Sequence, residues 1–228
     1  MNMKTQTRFA RTIAGLLLLG LSTQAAELTR YNAKPGNLKM RMEGTSNIHD
    51  WQVEGGLIGG YLEVGPGFPV EPGQAAAPGK VEARGEAFVP VRSLFSIEKD
   101  GKKYSDKMDE VMYDKLKASD NPRIVFKLTE LTLKEPAKSK DAPYVFEAKG
   151  DLVVAGVTKS ITMPINVLPL GEKKIKLTGT TTVKMTDFKI EPPAPKIALG
   201  MIKTGDDVKL IFEWMVAQKP AATASAAK

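Results

Sequence analysis

The feature that most constrains this chain is a near-strict alternation of apolar and polar residues. Leu38, Met40 and Met42 interleave with Lys39, Arg41 and Glu43. Ile175, Leu177, Val183 and Met185 share one parity, while Lys174, Lys176, Thr178, Thr180, Thr182 and Lys184 take the other. Val208, Leu210, Phe212, Trp214 and Val216 repeat the pattern near the C-terminus. A period of two places successive side chains on opposite faces of a β-strand, one face buried and one wet. Parallel strands are usually buried on both faces, so the pattern reads as antiparallel.

Eight strands are predicted, at about 37–44, 51–59, 80–91, 123–133, 144–155, 159–168, 173–185 and 206–216. Several exceed the usual ~5–6 residues. Long antiparallel strands curl, and closing the sheet on itself removes its exposed edges. The expected fold is all-β, an eight-stranded antiparallel β-barrel with one short helix. Gly55, Gly56, Gly59, Gly60, Gly150 and Gly179 fall inside strand patterns, where glycine marks bends and close approaches. Pro164 predicts a bulge or an unpaired stretch.

The helix is expected over Ser105–Lys117, where Met108, Val111 or Met112, and Leu116 recur at helical spacing. Ser105 suits the N-cap, Asp106 and Asp109 the first turn, and Lys115 and Lys117 the last. Asn121-Pro122 stops it. Two positions are open to this helix: a lid or plug on the barrel, or a connection packed outside it.

Two loops and two termini frame the strands. Residues 65–79, GPGFPVEPGQAAAPG, hold four Gly and four Pro and cannot form regular structure. Residues 186–205 form a second long connection around Pro192, Pro193 and Pro195. At the N-terminus, Lys4, Arg8 and Arg11 precede the apolar run Ile13–Leu21, and Thr23 and Ala25 are spaced like a cleavage site. That grammar describes a secretory signal peptide over 1–25 and hence export to the periplasm; the run is short of the ~20 residues of a spanning helix. The barrel domain is expected over 26–219, with a frayed tail at 220–228.

Composition excludes several function classes. The formal net charge of +7 falls to +4 once the three cations of the leader are removed, and no block of like charge appears. That is a solvated surface, not a nucleic-acid footprint. Lys173, Lys174 and Lys176 form the one basic cluster open to transient contact with a membrane surface. With no Cys and one His, thiol chemistry is excluded and a metal site lacks several of the usual ligands; no Ca²⁺ loop and no cofactor-binding motif is present.

Five ordered segments resemble one family: GTSNIHDWQVEG (44–55), VPVRSL (89–94), DKMDEVMYDKLKASDNPRIVFKLTEL (106–131), GDLVVAGVTKSITMPI (150–165) and KMTDFKIEPPAPKIALGMIKTGDDVKLIF (184–212). Together they make the chain similar to the YceI-like family over about 37–216. The resemblance implies an exported, lipocalin-like barrel that binds an isoprenoid or similar long-chain lipid in its interior. The Gly/Pro-rich stretch 65–79 departs from the family pattern, and it bears on one mouth of the barrel.

An eight-stranded barrel either fills with side chains or holds one ligand. Met40, Met42, Met108, Met112, Met163, Met185, Met201 and Met215 suit either a pliable lining or an ordinary core; the resemblance favours the lining. The aromatic candidates for that lining are Phe126, Phe146, Phe212 and Trp214. The aliphatic and thioether candidates are Met40, Met42, Val53, Leu57, Leu128, Leu152, Ile161, Met163, Ile165, Ile175, Leu177 and Met185. The expected partner is an isoprenoid, quinone or fatty-acyl lipid, bound by a monomer or homodimer. His49 and Asp187 are candidate contacts for its head group, and in an enzymatic alternative its working pair; otherwise they are turn residues.

Overall fold

The computed structural model describes residues 27–36, 38–194 and 202–218. The segment read above as a signal peptide and the C-terminal tail expected at 220–228 lie outside the described residues. Twelve strands are present: β1 (Thr29–Ala33), β2 (Lys39–Ser46), β3 (Trp51–Gly55), β4 (Gly59–Val64), β5 (Gly79–Val81), β6 (Ala83–Pro90), β7 (Phe95–Ile97), β8 (Arg123–Glu135), β9 (Tyr144–Val154), β10 (Val157–Gly171), β11 (Lys174–Lys184) and β12 (Thr204–Ala217). One α-helix, α1, spans Asp106–Lys115.

These twelve segments make eight staves, as the alternation predicts. β1 and β2 both run antiparallel to β12, with Ala33 opposite Val216 and Lys39 opposite Glu213, so they are one stave interrupted at 34–38. β3 pairs with β2, and β4 pairs with β1. They form the second stave, kinked at 56–58. β5 and β6 lie along β8, and β7 lies along β3, giving the third. β8 to β12 follow as an antiparallel meander, and the pairing of β1 with β12 closes the ring. Closure leaves no long free edge, which is the physical reason for the architecture.

Burial follows the sequence parity. Along β9, Tyr144, Phe146, Ala148, Gly150, Leu152 and Val154 are buried and the residues between them are wetter. Outside, ion pairs cross the staves. Glu63 accepts hydrogen bonds from Arg84 and Arg30 and so ties β4 to β6 and β1; these two bonds hold its carboxyl below the usual carboxylate range. The cluster at Lys173 to Lys176 lies at the β10–β11 hairpin, where Lys174 pairs with Glu172 and Lys176 with Glu213.

Pro164 makes no bulge: the β9–β10 register runs unbroken from Val157 to Val167. It ends an unpaired stretch instead, because pairing of β10 with β11 begins at Ile165. Shifts of register fall at Leu128/Glu130, Leu133/Glu135, Pro169/Gly171 and Thr204/Val208.

The two ends of the barrel differ. The end holding Tyr144, Val216 and Ile175 is solid, and the 65–79 loop folds into it. Phe68 is buried there, its ring stacked on Phe146 with centroids 5.5 Å apart. The Gly/Pro-rich loop is therefore a plug at the closed end. The other end carries the 47–50 turn, α1 and the 3-10 turn Thr186–Phe188.

Candidate functional site

Above the solid layer the barrel is hollow. A cavity of about 1470 Å³ opens among the inward side chains of the staves, beyond the ~300–1,000 Å³ of most small-molecule pockets. Its floor is Leu62, Leu131, Ala148, Ile165, Leu177 and Trp214. β12 lines it from Val208 to Trp214, roughly 20 Å of strand at ~3.3 Å per residue.

Three aromatic rings explain why the lumen stays open. Trp51 faces Gly44, Phe212 faces Gly179, and Phe126 lies diagonally over Gly150. A Cβ at Gly44, Gly179 or Gly150 would stand 2.1, 2.6 or 2.5 Å from the respective ring. The missing side chain lets each ring lie back on the neighbouring strand instead of reaching across the axis. Gly85 and Ala87 add little bulk on the opposite wall. The indole N–H groups of Trp51 and Trp214 are buried without an acceptor, so packing alone holds both rings.

The open end is polar and partly covered. Met108, Val111 and Met112 of α1 and its C-cap Leu116 line the cavity, so the helix is a cover on one side of the mouth. Its N-cap is Ser105, whose side chain accepts from the Met108 N–H. The buried carboxylate of Asp109 holds the helix to β7: it accepts from the Ser96 N–H at 2.6 Å and pairs with Lys103 at 3.4 Å. The Tyr113 hydroxyl donates to the Leu94 carbonyl at 2.6 Å. Burial, and then the charge of Asp109, raises the Tyr113 phenol and keeps it a donor. At the other end of α1, Lys115 reaches Glu191 at 3.8 Å.

Asp109→Ala strips the buried carboxylate from this anchor and leaves the Ser96 N–H unpaired. The expected cost is about 2–3 kcal/mol of stability, read from denaturant unfolding. Faster hydrogen exchange of the α1 amides, with β9 and β10 amides least affected, is expected alongside.

The structure brings together Met40, Met42, Val53, Phe126, Leu128, Leu152, Ile161, Met163, Ile165, Leu177, Met185, Phe212 and Trp214 around this one cavity. Three of the residues expected there lie elsewhere. Leu57 is exposed, because the kink at 56–58 slips the parity and Ile58 takes the inward place. Phe146 and Ile175 face inward but belong to the solid closed end beneath the floor. His49 stands at the rim, with Nδ1 3.0 Å from the Asp50 carbonyl oxygen and its ring edge-on to Tyr104. Asp187 is exposed on the 3-10 turn, away from the cavity wall, so the head-group pairing of His49 with Asp187 is not assembled at the mouth.

Several lining residues went unnamed in the sequence. Val208 and Leu210 share the parity of Phe212, a signal that reaches them. Ile190 and Pro193 lie in an irregular connection and carry no periodic signal at all. Among the described residues, no group of three or more His, Cys, Asp or Glu is placed to hold a metal ion. No described helix is long and apolar enough to cross a membrane.

Comparisons with solved structures agree with this architecture. BcnA of Burkholderia cenocepacia superposes with a TM-score of 0.57 at 14% identity, over 80% of this chain and 98% of that one. A polyisoprenoid binding domain from Saccharophagus degradans, implicated in plant cell wall breakdown, superposes with a TM-score of 0.59 at 10% identity, over 84% of this chain and 99% of that one. At such identities the likeness is one of fold. No curated protein sequence matches the chain. The YceI-like domain model matches residues 67–216, from the closed-end plug through the last stave; the segment at 44–55 precedes the match. With that match covering more than half of its length, and with the hollow eight-stave barrel on which it falls, the chain belongs to the YceI-like family.

Proposed function

We propose that this protein is an exported, periplasmic carrier that holds one long apolar molecule, of isoprenoid, quinone or fatty-acyl type, in its barrel. The observation that carries the reading is the 1470 Å³ lumen, apolar along its walls and closed at one end. Each methylene moved there from water yields ~0.8 kcal/mol, so a chain needs few polar contacts to bind tightly. The lining contains Met40, Met42, Met163 and Met185, whose flexible thioethers adapt to a bent chain. The floor presents mainly apolar side chains to the cavity. His49, Gln52, Lys99 and Lys107 ring the mouth, so a polar head group rests there with the tail inside. The polyisoprenoid binding named for the Saccharophagus degradans domain supports the same ligand class here. Loading calls for transient contact between the mouth and a membrane surface.

Native mass spectrometry of gently extracted protein tests this, with a bound mass of lipid size as the expected result. A uniformly empty protein that also ignores offered prenols overturns it. Combined in one chain, Met42→Trp and Ala87→Trp, both aimed into the lumen, displace at least about four methylenes of ligand. At ~0.8 kcal/mol each the expected loss of affinity is at least about 100-fold, with the far-ultraviolet circular dichroism unchanged.

A further inference from the structure

We infer that the stacked pair Phe68–Phe146 is a chain-length stop, which makes the 65–79 loop a specificity element. This rests on the carrier reading and adds to it what limits the ligand.

The geometry places the pair directly under the lumen. Phe146 lies opposite Ile165 on β10 and two residues from Ala148 on β9, and both of those neighbours line the floor. Its own ring is fully buried and does not reach the cavity. Phe68 backs it from the loop side, with the two planes 27° apart. The loop is held in place as a unit. The Tyr144 hydroxyl donates to the Gln74 carbonyl oxygen, and Gln74 Oε1 accepts from the Val70 and Glu71 N–H groups at 2.9 and 3.2 Å. The Gly65 N–H donates to Glu82 at 2.8 Å.

The loop thus adds one aromatic side chain to the layer that closes the barrel beneath the floor. A chain entering tail-first from the mouth meets a wall of two rings, and any further length is left in water at the mouth, where it adds nothing to affinity. Interiors are packed closely enough that a chain terminus cannot displace two stacked, buried rings without rearranging the core.

The test uses the full chain and a series of prenols that differ by one isoprene unit. In the unaltered protein, affinity is expected to rise with length and then level off. Phe146→Val removes the upper ring and is expected to move the levelling point to longer prenols, with at least a tenfold gain for the first prenol beyond the original limit. Phe68→Val, which acts from behind, is expected to move it in the same direction by less. If Phe146→Val does not fold, Phe68→Val decides the matter alone. A levelling point unchanged in the folded variants overturns the stop while leaving the carrier reading intact. An unaltered protein that binds no prenol of any length overturns both.

Discussion

Phe146→Ala is expected to cost about 3–5 kcal/mol of unfolding free energy, whereas Phe126→Ala is expected to cost about 1–2 kcal/mol. Both residues face the barrel axis, and both are phenylalanines on central staves. The difference is what surrounds them. Phe146 is fully buried between Phe68 and the side chains of neighbouring strands, so its removal leaves a sealed hole that a rigid closed end cannot collapse. Phe126 lies on Gly150 with its other face toward the lumen, so truncation only enlarges a space already present. It forfeits the transfer of a half-buried ring and creates no new cavity. Guanidinium denaturation with unchanged slope measures both. Equal costs at the two sites are the result a solid interior gives, and they would sink the hollow barrel.

Gly60→Ala is expected to cost about 3 kcal/mol or more, and to abolish folding if the remaining stability is small. Two causes add. Gly60 has φ of +122°, a conformation that L side chains rarely adopt. A Cβ there would also stand 1.9 Å from the Glu86 carbonyl oxygen, which is backbone and cannot swing aside. Gly60 is the second residue of β4, just after the kink, and pairs with Ala87 on β6, so relief of the clash would pry the second stave from the third. Gly36 gives the control. Its φ is +91° but nothing lies within 4 Å of its Cβ position, so Gly36→Ala carries conformational strain alone, about 1 kcal/mol. Thermal unfolding of the two variants side by side separates strain from collision.

Under the carrier reading proposed above, these experiments test the wall of a binding cavity and not a generic β-domain. On that reading the function follows the volume enclosed, and that volume depends on a few contacts between staves. Trp51 on Gly44, across the β2–β3 hairpin, and Phe212 on Gly179, more distant in the chain, are brought face to face by register. Replacing either glycine with a larger residue would push a ring toward the axis and narrow the same lumen that Met42→Trp fills directly.

Much of the fold was legible beforehand because period-two patterning is a local consequence of strand geometry. The eight predicted strands match the eight staves. The helix at Asp106–Lys115 sits two residues inside its predicted C-terminal bound, since Lys117 adopts a positive φ and Leu116 caps the turn. Parity also brought thirteen of the sixteen expected lining residues to one cavity. It failed at Leu57, where a kink exchanged inward for outward. It failed differently at Phe146 and Ile175, where the direction was right and the depth was wrong.

Which side chains point inward is decided within each strand, by alternation that any reader of the sequence can follow. How far along the axis each one sits, and whether its partner across the sheet is a glycine that lets a ring lie flat or a plug that fills the end, is decided between strands. Register, closure and the inward fold of the 65–79 loop set those distances, because they depend on contacts between residues far apart in the chain. The barrel was therefore written in the sequence, while its hollow upper part and its sealed base exist only once the staves have met.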